Sequence, residues 1–325
     1  MRVRQRRATF YDAMRDSTFT GRLASALWYS DSAWWQHLRC DKNNFFTEST
    51  VSERLTTPLG EFVLYGDFHS RHLSGERKVL VYLPPGYSAQ PLRRFPTLYL
   101  HDGQNLFNHA EANGSVERWS CEHTLDTLIA SRSVEPLIMV GIWNAGQERI
   151  EEYAPTRNER LGAGGKLVHH GEMIVTELKP FIDKHHRTLP DAANTGLGGS
   201  SLGALASLYL GISRSAAFGK IVAISPSIWW NDRMLLRDVK TLANKPQLHI
   251  FLSAGTEEGR GVISNARRLR TALLKKGWRL GTDLQYLEAT DGHHHESSWA
   301  EAFSVALQFL FPSRASVDFG GLERL

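Results

Sequence analysis

The chain has 325 residues, of which 42% are hydrophobic and 22% charged, so it can bury a sizeable globular core. The formal net charge is +4, and no dense block of lysine and arginine follows the basic N-terminus, so nucleic-acid binding is not expected. No run of about 18 apolar residues occurs, and neither a membrane-spanning helix nor a membrane partner is expected. The N-terminal arginines are followed by no apolar segment, which argues against a secretory signal and favours a cytoplasmic location.

Residues 1–55 differ in composition from the rest of the chain. They are rich in arginine, serine, threonine and aromatic residues. We predict one or two helices here, which form an N-terminal extension that packs on the main domain or on a second subunit of a homodimer. Residues 56–325 then form the main domain.

From about residue 57, short apolar runs alternate with longer amphipathic stretches. The short runs predict strands at 61–65, 78–83, 97–101, 137–143, 194–198, 219–225, 247–254 and 284–289. The amphipathic stretches predict helices at 117–132, 169–186, 202–213, 259–277 and 296–310. The first strands can pair antiparallel, whereas the helices between the later strands imply crossovers between parallel strands. The predicted fold class is α/β, with a mostly parallel central sheet flanked by helices.

A candidate nucleophile lies where the strand at 194–198 meets the next helix. The segment Gly199-Ser200-Ser201-Leu202-Gly203 fits G-x-S-x-G, the nucleophile elbow of the α/β-hydrolase fold. This tight turn requires small residues two positions before and two positions after the serine, and only Ser201 has glycine at both. The same glycine-rich stretch lacks the third glycine of a dinucleotide loop and the lysine of a phosphate-binding loop.

A serine hydroxyl is a weak nucleophile until a base takes its proton. In this fold an acid and then a histidine follow the serine along the chain, on loops after later strands. The loop after 247–254 carries Glu257 and Glu258, and the loop after 284–289 carries His293, His294 and His295. The order is therefore correct, while both glutamates and all three histidines stay open as candidates.

Metal chemistry is the alternative interpretation of the histidine run, and we do not expect it. Consecutive ligands seldom converge on one ion, and no Asp, Glu or Cys stands nearby at metal-ligand spacing. Cys40 and Cys121 are too few for a disulfide framework or a zinc cluster. Two free buried thiols are expected, with one bridge between them as the alternative. The pairs His169-His170 and His185-His186 are interpreted as solvated surface. No cofactor is therefore implied.

An oxyanion hole needs two backbone N–H groups. One is expected from Leu202, directly after the nucleophile, and the other from the loop His-Asp-Gly-Gln-Asn at 101–105. Trp229 and Trp230 follow a strand end near the expected site. They could stack on an aromatic or sugar ring of a substrate, or one could pack in the core while the other is exposed by chance.

These segments together resemble the putative esterase family, which includes enterochelin and related siderophore esterases, feruloyl and acetylxylan esterases, and mycolyltransferases. The resemblance covers about 57–312. It is carried by SRHLSGERKVLVYLPPGY at 70–87, LYLHDGQNLF at 98–107, VGIWN at 140–144, EEYAP at 151–155, ELKPFID at 177–183, GGSSLGALASL at 198–208, SPSIWWND at 225–232, SAGTEEG at 253–259 and HHESSWAEAF at 294–303.

The resemblance implies which residues of the open loops act. Family members often place the acid at the fourth position of a G-T-x-[DE] stretch, which is Glu258 here. Their catalytic histidine commonly stands five residues before a tryptophan, and Trp299 then selects His294. The D-G-Q motif is similar to the family's oxyanion loop. Gln104 then supplies the backbone N–H, and Asp102 braces the loop or contacts substrate.

The resemblance also implies the reaction, a serine carboxylic-ester hydrolysis with Ser201, His294 and Glu258 as a triad. Siderophore-type esters and feruloyl or acetyl esters of polysaccharides are the expected substrates, and the SPSxWW form is most similar to siderophore-esterase relatives. One alternative is acyl transfer to an acceptor other than water, as in the mycolyltransferases. Another is a non-catalytic carbohydrate- or siderophore-binding module, which the intact order of the three residues disfavours.

Overall fold

The computed structural model describes residues 51–57, 59–108 and 117–313, which contain one nine-stranded sheet. Cys40 and nearly all of the predicted extension lie outside the described residues. In chain order the strands are β1 (Val51–Thr56), β2 (Glu61–His69), β3 (Glu76–Leu83), β4 (Thr97–His101), β5 (Ile138–Ile142), β6 (Thr195–Ser200), β7 (Lys220–Ile224), β8 (His249–Gly255) and β9 (Leu284–Ala289).

The strand order across the sheet is β1-β2-β3-β5-β4-β6-β7-β8-β9. The strands β1, β2, β3 and β5 pair antiparallel, and all pairs from β5-β4 to β8-β9 are parallel. The predicted mixed sheet with antiparallel first strands is confirmed, and each of the eight predicted strands occurs. The prediction missed β1, a polar and largely exposed edge strand at the end of the segment assigned to the extension.

The helices cover both faces of the sheet. They are α1 (Cys121–Ala130), α2 (Arg149–Tyr153), α3 (Leu167–Glu172), α4 (Lys179–His185), α5 (Ser201–Ser213), α6 (Trp230–Thr241), α7 (Arg260–Lys275) and α8 (Glu296–Leu310). A π-helical turn at Met173–Leu178 joins α3 to α4, where one helix was predicted. The prediction missed α2, which is only five residues long, and α6, which contains three residues in left-handed backbone conformation.

Alternate residues of the strands enter two separate hydrophobic cores. On β3, Val79 and Val81 belong to one core, and Leu80 and Tyr82 belong to the other. The first core also takes in side chains of α5, α6 and α7, whereas the second takes in those of α1 and α8. Because both faces of the parallel strands are covered, their polar functional residues can emerge only at strand ends.

Two further expectations concern parts of the described chain. No helix within the described ranges has the length and apolar character to cross a membrane. Cys121 is a buried free thiol, as expected for that residue, and burial raises the pKa of its thiol well above the ordinary value.

Candidate active site

The turn between β6 and α5 has the geometry of a nucleophile elbow. Ser201 begins α5 with a φ of 54°, in the left-handed region that residues other than glycine rarely adopt. A Cβ added to Gly199 would lie 3.1 Å from the backbone of Gly203, and one added to Gly203 would lie 3.0 Å from the Cβ of His101. The two glycines that singled out Ser201 therefore stand where the turn has almost no free space.

Three side chains from three separate loops form one hydrogen-bonded chain. Ser201 Oγ lies 3.0 Å from Nε2 of His294, whose Nδ1 lies 2.7 Å from Oε2 of Glu258. Because a carboxylate only accepts hydrogen bonds, Nδ1 carries the proton and donates a hydrogen bond to Glu258. Nε2 is then free to accept a hydrogen bond from the serine hydroxyl. This arrangement can take the proton from Ser201 and stabilise the charged imidazole that results.

Burial distinguishes the two adjacent glutamates of the loop after β8. Glu257 is exposed, whereas Glu258 is 7% exposed. Oε1 of Glu258 accepts hydrogen bonds from the Gly255 backbone N–H at 2.7 Å and from the Ser225 hydroxyl at 2.5 Å. The carboxylate is therefore held at Oε1, with Oε2 directed at His294.

The three consecutive histidines point in different directions. His293 is exposed, and Nδ1 of His295 lies 2.8 Å from a carboxylate oxygen of Glu117. His294 packs edge-on against Trp299, with ring centroids 4.9 Å apart and an interplanar angle of 89°. Within the ranges that the structure describes, no group of three or more His, Cys, Asp or Glu side chains could hold a metal ion.

The two residues predicted to supply oxyanion N–H groups each lie in the first turn of a helix. Leu202 is the second residue of α5, and Gln104 is the second residue of a 3₁₀ turn at Gly103–Asn105. Backbone N–H groups in a first turn have no acceptor within their own helix, so they are available to a developing anion. The assignment of both groups to the oxyanion hole stays a prediction.

Asp102, directly before this 3₁₀ turn, is held by a cation. Arg149 donates to both of its carboxylate oxygens at 2.7 and 2.8 Å, and Asn144 Nδ2 donates at 2.7 Å. Burial alone would raise the pKa of Asp102, but the Arg149 guanidinium and these hydrogen bonds hold it below its ordinary value. The occupied oxygens favour bracing of the loop over contact with substrate, the two roles left open for Asp102.

The motifs of this chain have a counterpart among known proteins. The sequence pattern of the family described as Putative esterase matches residues 70–310. The chain belongs to the putative esterase family. It is therefore a carboxylic ester hydrolase, as its motifs predicted.

Relatives in sequence extend over most of the chain. Uncharacterized protein YbbA of Bacillus subtilis is 27% identical over 260 residues, which cover 76% of this chain and 97% of that protein. Iron(III) salmochelin esterase of Escherichia coli O6:H1 is 27% identical over 235 residues, which cover 65% of this chain and 52% of that esterase.

Solved structures agree on the fold. The BES protein from Bacillus cereus matches with a TM-score of 0.62 and 22% identity, over 81% of this chain and 98% of that one. A ferulic acid esterase matches with a TM-score of 0.59 and 18% identity, over 78% of this chain and 98% of that one. These neighbours confirm the α/β-hydrolase type of fold.

The two tryptophans predicted at the substrate site of this esterase differ in exposure. Trp230 is 1% exposed and donates from Nε1 to the Thr156 carbonyl at 3.0 Å, so its ring is a core residue and has no face for substrate. Trp229 is partly buried and packs on Trp230, with centroids 5.6 Å apart. Trp230 is therefore a core residue rather than a stacking residue, and a stacking role stays a prediction for Trp229.

The interpretation of the histidine pairs as solvated surface is wrong for one member of each. His170 is 0% exposed and His186 is 6% exposed, whereas His169 and His185 are exposed. Burial lowers the pKa of His170 well below its ordinary value and that of His186 to about 4. In each pair one histidine is buried and the other is exposed, a difference that the local sequence pattern did not reveal.

Three polar residues that contact the site were not predicted as part of it. They are Arg149, Ser225 and Ser227, which contact Asp102, Glu258 and Ser201 respectively. The sequence did carry a signal for the two serines, since both lie in the SPSIWWND motif at 225–232 that also contains the two predicted tryptophans.

Proposed function

We propose that this esterase is a serine hydrolase in which Ser201 attacks the ester carbonyl, His294 accepts its proton and Glu258 orients the imidazole. The resulting acyl-enzyme is then hydrolysed by water that His294 activates. Backbone N–H groups of Leu202 and Gln104 bind the oxyanion of both tetrahedral intermediates. None of these steps draws on a metal or another cofactor.

One observation carries the proposal, the continuous chain of hydrogen bonds from Ser201 through His294 to Glu258 at 3.0 and 2.7 Å. Proton transfer by a general base needs this separation between heavy atoms. The left-handed backbone of Ser201 supports the same role, because a non-glycine residue persists in such a conformation only where surrounding structure enforces it.

For the substrate we propose a siderophore-type ester. Iron(III) salmochelin esterase is among the sequence relatives, as is ferri-bacillibactin esterase BesA of Bacillus subtilis. Feruloyl esters are the second candidate, because an endo-1,4-beta-xylanase/feruloyl esterase is 24% identical over 237 residues. Trp229 is partly buried and stands two residues after Ser227, which contacts Ser201, and we assign it to stacking on an aromatic group of a feruloyl or catecholate substrate.

The decisive experiment compares Ser201→Ala with Ser200→Ala on a p-nitrophenyl ester. The first change is expected to lower kcat by at least about 10⁴-fold, and the second by less than about tenfold, because the hydroxyl of Ser201 lies 3.0 Å from Nε2 of His294. A fluorophosphonate should add mass to the peptide that carries Ser201, while prolonged EDTA treatment leaves the rate unchanged. Equal losses in two folded variants, or inactivation by EDTA that zinc reverses, would contradict the proposal.

The substrate class is tested by comparing kcat/KM for a catecholate siderophore lactone, methyl ferulate and acetylated xylan. We expect the siderophore to be hydrolysed fastest. A preference for methyl ferulate or acetylated xylan would reject the siderophore class and leave the proposed serine mechanism intact.

A further inference from the structure

The loop Ser225-Pro226-Ser227, which follows β7, lies between the nucleophile elbow and the acid loop. These residues are the first three of the motif SPSIWWND, in which Trp229 was predicted to contact substrate. Its two serines are 2% and 4% exposed, and each makes contacts to a different member of the proposed triad.

Ser225 contacts the acid and the side chain that backs the base. Its hydroxyl donates to Oε1 of Glu258 at 2.5 Å and accepts from Nε1 of Trp299 at 3.2 Å. Trp299 in turn packs edge-on against the ring of His294. One hydroxyl therefore fixes the carboxylate that His294 donates to and the indole on which His294 packs.

The backbone of Ser225 is in an unfavourable conformation. Its φ is 50°, a value that costs free energy for every residue type except glycine. Glycine would occupy this position without strain, but it would remove the only side-chain hydroxyl that reaches Glu258 among the described residues. The strain accompanies a hydrogen bond to the site, as is common at functional positions.

Ser227 contacts the nucleophile twice. Its backbone N–H donates to the carbonyl of Ser201 at 3.0 Å, and its hydroxyl lies 3.3 Å from Ser201 Oγ. Because the proton of Ser201 Oγ points at His294, the hydroxyl of Ser227 is the donor in this second contact. The loop therefore restrains the serine side chain at the other end of the triad from Glu258.

We propose that Ser225 and Ser227 are positioning residues, which align the two ends of the triad through one short loop. Ser225 acts through Glu258 and Ser227 acts through Ser201. The inference rests on the proposed function, since it assigns what holds those residues in register. The two hydroxyls contact the triad rather than the substrate, so their effect on the rate depends on an intact triad.

The first test is Ser225→Gly, with Ser120→Gly as the matched control. Ser120 has a φ of 52°, and its hydroxyl contacts Asn108 rather than a member of the triad. Ser225→Gly removes the hydroxyl without backbone strain, and kcat is expected to fall about 10- to 100-fold with KM nearly unchanged, as for a lost hydrogen bond to a charged group. Ser120→Gly should stay within about twofold of wild type.

The second test repeats Ser225→Gly in a Glu258→Gln background, with the rate of fluorophosphonate labelling of Ser201 as the readout. A residue that acts through Glu258 has little left to lose there, so the second change should cost less than about threefold. Ser225→Ala is measured in parallel, because it keeps the Cβ. Multiplicative losses, or a full rate for folded Ser225→Gly in the wild-type background, would overturn the inference alone. A full rate for Glu258→Gln would overturn the proposed function as well.

Ser227 is tested by Ser227→Ala with the same labelling reaction. We expect labelling to slow by about three- to tenfold, because a neutral hydrogen bond of 3.3 Å is weak. The KM for the p-nitrophenyl ester should stay nearly unchanged, because this hydroxyl contacts the nucleophile rather than the substrate. An unchanged labelling rate in the folded variant would remove Ser227 from the positioning loop.

Discussion

Asp102 and Glu258 are two carboxylates at the same edge of the sheet, and they are held in different ways. Each is 7% exposed and follows the end of a parallel strand, β4 for Asp102 and β8 for Glu258. Asp102 is paired with the guanidinium of Arg149. Glu258 has only neutral donors on one oxygen, and the other oxygen contacts the imidazole of His294.

The difference shows how one fold can use a buried charge in two ways. The guanidinium of Arg149 neutralises the carboxylate of Asp102 locally. The pair therefore fixes the loop that carries Gln104, and its net charge is close to zero. Neutral donors orient Glu258 without cancelling its charge. In the proposed mechanism, that charge is available to the imidazole of His294 when it gains a proton. The first arrangement suits an anchor and the second suits a partner in proton transfer.

Glu258→Gln is the substitution with the largest expected effect. It keeps the size of the side chain but removes the charge and can turn an N–H towards Nδ1 of His294. We expect kcat to fall by about 10³- to 10⁴-fold with little change in stability or KM. The exposed neighbour Glu257→Gln is the matched control and should stay within about twofold. A small loss of kcat in Glu258→Gln would show that Glu258 anchors its loop, as Asp102 does, and takes no part in proton transfer.

Asp102→Asn should show the opposite balance between stability and rate. It leaves Arg149, whose side chain is 27% exposed, without its anionic partner. We expect the free energy of unfolding to fall by about 2 kcal/mol, below the cost at a fully buried pair because water reaches part of the guanidinium. The rate should fall about 10- to 100-fold as the Gln104 loop shifts. Urea unfolding and steady-state kinetics measure the two effects.

The double variant Asp102→Asn/Arg149→Gln is the control for that interpretation. If the loss of stability comes from an unpaired guanidinium, removal of the guanidinium should restore part of it. An additive further loss would mean that Arg149 stabilises the fold through other contacts, such as the stacking of its guanidinium on Tyr153.

The sequence predicted the strands and most helices because apolar periodicity and turn residues are local signals. The glycine flanks selected Ser201, and the resemblance to the esterase family selected His294 and Glu258; the structure brings the three side chains within hydrogen-bonding distance. The spacing from His294 to Trp299 has a physical basis, since a residue in the first turn of α8 can pack its indole on the imidazole that precedes the helix. These features depend on short segments, each readable by itself.

What the sequence did not reveal depends on distant contacts. Arg149 reaches Asp102 across 47 residues, and Ser225 reaches Glu258 across 33. The burial of His170 and His186 depends on which elements pack over them, whereas His169 and His185, which directly precede them, are exposed. The left-handed run Asn231, Asp232 and Arg233 in α6 was likewise missed. Asn and Asp adopt this conformation singly, but three in succession are maintained only by tertiary structure.

A second contrast lies in the adjacent histidines His185, which is exposed, and His186, which is buried. Burial lowers the pKa of His186 from 6.5 to about 4, so the folded protein resists protonation that the unfolded chain accepts. Its contribution to stability is therefore complete above about pH 6.5 and is lost as the pH falls towards 4. Between pH 7 and 5 the loss should be about 2 kcal/mol.

His186→Gln should remove this part of the acid destabilisation, whereas His185→Gln should leave it unchanged. Glutamine does not titrate, and its amide can still contact the hydroxyl of Tyr65, which lies 3.0 Å from Nε2 of His186. Urea unfolding at pH 7 and pH 5 gives the difference for each protein. Equal pH dependence in wild type and His186→Gln would show that the imidazole of His186 is protonated as readily in the folded protein as in the unfolded chain.

Gln104→Ala is expected to have the smallest effect, and it separates the backbone of the Asp102 loop from its side chain. The Gln104 amide accepts only a long hydrogen bond of 3.3 Å, from the Asn144 N–H. If the oxyanion donor is the backbone N–H of Gln104, as predicted, alanine keeps that donor and kcat should fall less than about threefold. A loss of about 10²-fold or more is typical of a deleted oxyanion donor and would assign the role to the side chain. With Asp102→Asn as the comparison, a small effect of Gln104→Ala would show that the position of the loop, rather than the amide it carries, determines the rate.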